Sequence, residues 1–510
     1  MLKGIIGWTA TKENEGIKLT RATTSGYRES LTAKDFETAA TFLADDRGEA
    51  LHVCWSLHAF RQSLFTLLPA KTLDELNEGK PKVYCNNVKI FSVDHLLGIT
   101  IAKLVSGNIW QRLETNLYQL MHWLPDGIPE PDNATEVAKL GEQVIDGLES
   151  MGIYPDRLTS PVALYEQTYL NGYFPTIYSF NENWLEAMQY ASQMMRYEWR
   201  SAYRLGYFDK VFSYDLQSAY PAIILNLPST DGCYAQYSTT YQKHDWGILK
   251  GKVEVTAPIS PLVYDIGEGY INPSGTWQGY FTTEEIAWLE KWQAGKFTLE
   301  DGWFFKFGSN KPYKQVIGKL LTARANGSGM VANLAKKVAQ GLSGKLDQDN
   351  QDGSWGNLFN PILAAMTRSR CRLAVADFIY SHKLIDSLVA VMVDGVLLTD
   401  EVSDFTQYGY AGSWRFEGNS PALVLSKGEV WRPGKRPLGI GFEEITEAMR
   451  ANPSQSVYVF GKRSVDLLLP PDEDRDYSGY PQTGGEALGN CYSSRPLELA
   501  PDAPELKSRG

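Results

Sequence analysis

Apolar residues recur along this chain with two periods, and the switches between them mark out its elements. Ile5 to Thr11 and Ile17 to Thr23 predict strands, Ala33 to Leu43 a helix, and His52 to Trp55 a further strand. In mid-chain, an apolar run from Val211 to Tyr214 predicts a short strand that closes on Asp215 and enters a turn ending at Pro221. Leu388 to Leu398 holds two apolar runs around Asp394-Gly395, which predicts a β-hairpin with Asp394 in its turn. Between these segments, Pro312 opens a helical repeat of Tyr313, Val316, Ile317, Leu320 and Leu321. Asn326-Gly-Ser-Gly329 breaks it, and Met330, Leu334, Val338 and Leu342 then share one side of a second helix. Interleaved strands and helices of this kind predict an α/β (α+β) multidomain chain.

Charge changes the picture in one place. The chain of 510 residues has a formal net charge of −11, yet from Phe305 to Lys345 there are eight Lys or Arg and no Asp or Glu. A helical hairpin with an apolar inside and a cationic outside can be an ordinary solvated face. Surfaces usually mix the two signs, however, so an acid-free block predicts anion binding. Lys336, Gln340 and Ser343 fall at i, i+4 and i+7 on one face of the second helix. Arg368, Arg370 and Arg372 on a predicted helix, and Lys427, Arg432, Lys435 and Arg436 further on, form two more cationic stripes with the same two readings.

An Asp that closes a strand can simply make a turn or cap a helix, and an Asp-Gly pair can be there only to make a hairpin. Were Asp215 and Asp394 to converge on one sheet edge, the two carboxylates would repel unless a cation lay between them. Two hard oxygen donors suit magnesium or manganese, which complete their shell with water and substrate phosphates.

These residues resemble the motifs of family B DNA polymerases. Asp215-Leu-Gln-Ser-Ala-Tyr-Pro221 is similar to that family's D-x-x-S-L-Y-P, with Ala219 for Leu. Lys336-Lys-Val-Ala-Gln-Gly-Leu-Ser-Gly344 resembles K-x-x-x-N-S-x-Y-G, with Gln340, Gly341 and Ser343 at the altered positions. Val393-Asp394-Gly395-Val396 resembles the second half of D-T-D-S or D-T-D-G, with Met392 in place of the first Asp. Ile271 to Tyr280, followed by Thr283-Glu-Glu-Ile, is similar to the palm segment between these motifs.

The resemblance implies a right-hand polymerase with palm, fingers and thumb, of a divergent viral or mobile-element type. Asp215 and Asp394 would be catalytic and, with the carbonyl of Leu216, would hold two Mg²⁺ or Mn²⁺ ions about 3.5–4 Å apart. Arg324 and Lys336 would grip the triphosphate, and Ser218 would lie beside it. Tyr220 would stack under the sugar and exclude a ribose 2′-hydroxyl, and Gln340 and Gly341 would line the floor beneath the nascent pair. Lys427 stands near the place of a primer-contacting Lys-x-Tyr motif. The implied domains are 1–165 (N-terminal, exonuclease-like), 166–304 (linker and first part of the palm), 305–350 (fingers), 351–432 (second part of the palm), 433–475 (thumb) and an irregular tail over 476–510.

The N-terminal alternation resembles a ribonuclease-H-like exonuclease domain without its acids. Where the family carries D-x-E the chain reads Gly7-Trp-Thr-Ala10, Trp55 to Arg61 stands for N-x-x-x-F-D, and Gln143 lies near the third acid. Two-metal nucleases need clustered carboxylates, so proofreading is not expected. Five scattered cysteines without metal-ligand spacing point to a reducing compartment, the cytoplasm of a bacterial or virus-infected cell. No membrane span or signal-peptide core is read.

Two function classes follow from the resemblance. The first is a template-directed DNA polymerase that uses primer–template DNA and deoxynucleoside triphosphates, with replication proteins reached through the tail. The second is a catalytically weakened relative that binds primer–template or a replisome partner. A carbohydrate-active enzyme, suggested by 14 Trp and 28 Tyr, has no use for the acid-free cationic block.

Overall fold

The structure is a computed structural model. It describes residues 4–44, 50–77, 82–85, 88–91, 101–106, 109–113, 117–121, 123–125, 128–155, 158, 161–166, 182–230, 233–243, 245–266, 270–327, 329–348, 355–426, 429–434, 442–443, 446–447, 457–462 and 492–497. Its contacts divide the chain into two compact units. One comprises 1–165, 322–337 and 460–495; the other comprises 166–321, 338–459 and 496–510.

In the first unit, strands Ile5–Glu13, Gly16–Ala22 and Arg28–Ala33 form an antiparallel meander. Leu51–Cys54 and then Leu117–Gln119 extend the sheet in parallel on the far side of Ile5–Glu13. The strand Arg28–Ala33 was not anticipated: its Arg-Glu-Ser-Leu-Thr-Ala sequence is mostly polar and, as an edge strand, it buries little. It moves the start of the following helix from the expected Ala33 to Phe36. Trp8, Leu19, Phe36, Ala40, Leu43 and Leu64 build the core on one face of this sheet.

The helix Ala134–Ser150 lies directly on Ile5–Glu13. Asn133 opens it by accepting from the Glu136 backbone N–H at 3.1 Å. Gly7 makes the close approach possible, since a Cβ there would come within 2.1 Å of the Ala134 carbonyl oxygen and 2.5 Å of the Ala138 nitrogen. From the helix side, Gly141 faces Ile5 and Val53. Strand and helix therefore meet backbone to backbone. Gly7→Ala is expected to destabilise this unit by about 1–3 kcal/mol through overpacking. Denaturant unfolding checks this; a loss below about 0.5 kcal/mol, the size of a neutral surface change, would contradict it.

The second unit is built on two antiparallel sheets. The six-stranded sheet runs in the order Arg200–Ala202, Leu388–Met392, Gly395–Leu398, Gly206–Leu216, Trp414–Ser426, Glu429–Trp431. The four-stranded sheet runs Tyr234–Ser238, Gly295–Lys306, Trp246–Val255, Gly275–Thr282. A core including Phe212, Tyr214, Phe281, Trp288, Phe304, Phe378 and Val391 joins side chains of both. The Glu-led helix expected after Tyr280 is present as Thr283–Lys291, with Thr282 and Glu285 closing a reciprocal capping box.

The helix Pro361–Ser381 is central to this unit, with 15 of its 21 residues buried. Its apolar residues are not confined to one stripe and buried Arg368 and Arg372 stand among them, the pattern of a helix enclosed by its neighbours. The cationic segment folds as the two expected helices, Tyr313–Asn326 and Gly329–Lys345. Tyr313, Val316, Ile317 and Leu320 are buried on the first, and Leu334, Val338 and Leu342 on the second. Most of 433–475 lies outside the described residues, as do Lys427, Lys435 and Arg436. Of 476–510 only Tyr492–Leu497 is described, and where irregular chain was expected it forms a strand beside Val457–Lys462. No helix among the described residues is long and apolar enough to cross a membrane.

Candidate active site at the paired strand ends

Asp215 lies near the end of the strand Gly206–Leu216 of the six-stranded sheet, and Asp394 lies in the turn that leads into the neighbouring strand Gly395–Leu398. Asp215 is the penultimate residue of Gly206–Leu216 and pairs with Gly395, the first residue of Gly395–Leu398. The Leu216 backbone N–H donates to the Asp394 carbonyl at 2.8 Å, so the two acids are held beside one another by main chain. Gly395 allows this closeness: a Cβ there would lie 3.1 Å from the Tyr214 carbonyl oxygen and 3.6 Å from Asp215 Oδ1.

The hairpin is present, but its turn sits one residue earlier than an Asp-Gly turn would. Met392 pairs with Gly395, leaving Val393 and Asp394 as the connection. The Asp394 N–H donates to the Met392 carbonyl at 2.8 Å around Val393, whose φ is +64°. A β-branched residue in the left-handed region costs about 1–3 kcal/mol and persists only when its surroundings impose it. Here the Val393 N–H is anchored on the Trp199 carbonyl at 2.7 Å. Ser218, at the start of the helix Ala219–Ile224, is also left-handed with φ +51°, and its side chain does not cap that helix. Backbone strain thus brackets the two acids.

Their electrostatic surroundings differ. Burial pushes the Asp394 carboxyl up from its ordinary range; its own backbone N–H opposes this, while the charges of Glu198 and Glu417 push further upward. Asp394 forms no salt bridge among the described residues. Asp215 pairs with Arg415 at 3.5 Å, and the same guanidinium binds Glu417 Oε1 at 2.8 Å. Glu417 Oε2 accepts from Ser213 Oγ at 3.3 Å. Burial lowers the Arg432 guanidinium, and Glu417 and Asp215 pull the other way. Sequence reasoning missed Glu198, Arg415 and Glu417. An Arg-x-Glu alternation on a strand would have placed the last two on one face, but Gly418 and Pro421 close behind read as turn residues.

The remaining candidate residues are spread over the fold. Tyr220 follows Ser218 on the helix Ala219–Ile224, and burial raises its hydroxyl well above the usual tyrosine range. Gln340 is exposed and Gly341 half-buried on Gly329–Lys345. Ser343 follows on the Lys336–Gln340 side but, unlike them, is buried, with its hydroxyl donating back to the Gln340 carbonyl at 3.4 Å. Lys336 is exposed; it and Arg324 belong to the 322–337 stretch that groups with the first unit. A cavity of about 400 Å³ beside Leu216 is lined by Ala219, Ile223, Leu225 and Arg370, but by neither carboxylate.

Arg368, Arg370 and Arg372 do not form an anion-binding stripe, because each is matched by acids of the fold. Arg368 pairs with Glu198 at 2.9 Å and Asp347 at 3.2 Å, Arg370 with Glu284 at 2.9 Å, and Arg372 with Glu285 at 2.6 Å. Among the described residues no group of three or more His, Cys, Asp or Glu is arranged to hold a metal ion.

No protein-family model matches the chain, and no curated protein sequence matches it. Solved structures do. Phi29 DNA polymerase complexed with primer-template DNA and incoming nucleotide substrates is similar with a TM-score of 0.57 and 11% identity, over 84% of this chain and 86% of that one. Phi29 DNA polymerase complexed with single-stranded DNA gives 0.55 and 12% over 84% and 86%. At such identity the likeness is one of fold. The chain has a mixed α/β, multidomain, DNA-polymerase-like fold.

Proposed function

We propose that this chain is a template-directed DNA polymerase that adds deoxynucleotides to a primer 3′-hydroxyl and lacks 3′–5′ proofreading. The carrying observation is that Asp215, at a strand end, and Asp394, in the turn entering the adjoining strand, lie side by side although they are far apart in sequence. Main-chain bonds and a strained turn hold them there. In this reading 166–304 and 351–432 make the palm, 305–350 the fingers, 433–475 the thumb and 1–165 an exonuclease-like domain.

The donor set suits a hard divalent cation. A half-buried Asp394 with Glu198 and Glu417 nearby carries its charge at a cost that a bound cation would relieve. Asp215, Asp394 and the Leu216 carbonyl would hold magnesium or manganese, which when bound supplies activation of the 3′-hydroxyl and neutralisation of the triphosphate. The protein's own part is positioning. Ser218 orients the triphosphate, Tyr220 rejects the ribose 2′-hydroxyl, and Gln340 and Gly341 lie under the new pair. Tyr220→Ala is expected to relax discrimination against ribonucleotides by about tenfold or more; unchanged sugar selection in kcat/KM ratios would remove Tyr220 from this role.

The absence of proofreading is supported by Gly7. Gly7, in the Gly7–Ala10 stretch that stands where the family has D-x-E, is pressed against the backbone of Ala134–Ser150, where even a methyl group has no room. A primer with a labelled, mismatched 3′ end should therefore stay intact, and trimming of that end would overturn this part of the proposal.

Two observations favour a second reading, a weakened relative that binds primer–template without extending it. Arg415 already pairs with Asp215, and Met392 stands where the family has another acid. Primer extension on a defined template separates the two: binding without incorporation selects the second.

A further inference from the structure

Tyr220 sits in a frame of charges whose hold on its ring the polymerase reading does not use. The Arg368 guanidinium lies over its ring, 4.6 Å from the centroid. Arg368 Nη1 donates to Glu198 Oε1 at 2.9 Å and Nη2 to Asp347 Oδ2 at 3.2 Å. The Tyr220 hydroxyl donates to the same Glu198 Oε1 at 3.4 Å. Arg368 is only 8% exposed, on the enclosed helix Pro361–Ser381. Glu198 comes from the turn before Arg200–Ala202, and Asp347 from the segment just after Gly329–Lys345.

Each contact narrows the freedom of the ring. A guanidinium is planar, permanently charged and forked, so two carboxylates fix both its position and its tilt. Stacking over the aromatic face then restrains one side of Tyr220, and Glu198 restrains its far end. A lysine would hold none of these angles. A tyrosine that only filled space would not need three partly buried charges arranged around it.

We propose that Arg368, with Glu198 and Asp347, is a positioning clamp for Tyr220 and that the clamp sets how strictly the chain discriminates between deoxyribose and ribose. This rests on the polymerase reading of Tyr220. Arg368 and Glu198 act through the ring and do not touch the nucleotide.

The test uses the full chain with Arg368→Met, Glu198→Gln and Tyr220→Ala, and the double variant Tyr220→Ala/Arg368→Met. The ratio of kcat/KM for deoxy- and ribonucleotides is measured for each. Arg368→Met and Glu198→Gln are each expected to lower discrimination about tenfold, the scale of one mispositioned pocket contact. In the Tyr220→Ala background, Arg368→Met should add no further relaxation, because two steps of one device are not additive. A fluorotyrosine placed at 220 reads the ring without catalysis: its ¹⁹F resonance should shift or broaden in both clamp variants. Glu198→Gln keeps side-chain volume, so it serves if Arg368→Met folds poorly. Unchanged discrimination in both clamp variants while Tyr220→Ala relaxes it, full additivity in the double variant, or an unmoved ¹⁹F signal would each overturn the clamp. Failure of the wild-type chain to extend would instead overturn the polymerase reading and the sugar role with it, whatever the ¹⁹F signal shows.

Discussion

Asp394→Asn is expected to abolish primer extension, a loss on the order of 10³-fold or more for a group that acts as part of one catalytic unit. The same substitution should leave the fold as stable as before, or more so. The folded-state pKa of Asp394 is raised, chiefly by burial, with Glu198 and Glu417 adding to the shift. The folded protein therefore favours the protonated form. Its contribution to stability is present at low pH and is lost as pH rises through the raised pKa, so at neutral pH the ionised carboxylate is a burden. A neutral amide removes that burden. Thermal unfolding should show a melting temperature for Asp394→Asn equal to or above wild type near pH 7.5, with the gap closing below the ordinary carboxylate range. Magnesium or manganese should raise the wild-type melting temperature and fail to raise that of the variant. A destabilised variant, or one stabilised by metal as well as wild type, would contradict the electrostatic account.

Arg372→Met is expected to cost about 3–5 kcal/mol, the effect of stranding one member of a buried ion pair. Arg372 is 1% exposed and ties three segments to the helix Pro361–Ser381. It donates to Glu285 Oε1 at 2.6 Å, to the Pro261 carbonyl at 3.1 Å and to the Tyr197 carbonyl. Glu285 is itself 1% exposed and caps its own helix through Thr282, so losing the arginine leaves a carboxylate charged and enclosed. Against a total of roughly 5–15 kcal/mol for a domain, this is a large fraction. The double variant Arg372→Met/Glu285→Met should be less destabilised than the sum of its parts, because no buried charge is left alone. Denaturant unfolding reads both quantities; a loss below about 1 kcal/mol for Arg372→Met, the ordinary size of a surface pair, would show that the pair is not a strut.

What could be read from the sequence was local. The apolar run ending at Asp215, the hairpin around Asp394, the two helices of the cationic segment and the Glu-led helix after Tyr280 each carry their signal within a few residues. Arg28–Ala33 was missed because a polar edge strand has no apolar period to detect. The three arginines of Pro361–Ser381 looked like a stripe because their partners are distant in the chain: Glu198 precedes Arg368 by 170 positions and Glu285 precedes Arg372 by 87. A charge count cannot tell a solvated cation from one matched inside the fold. Asp394 is in the hairpin turn as expected, but its turn partner is Val393 and not Gly395, because Gly395 already pairs and marks the close approach to Asp215.

The most direct test is extension of a labelled primer on a defined template, with magnesium or manganese, by the wild-type chain and by Asp215→Asn and Asp394→Asn. The account predicts template-directed products from wild type alone, with DNA binding retained by all three. Synthesis by either variant, or a wild-type chain that binds the DNA and never lengthens the primer, would contradict it.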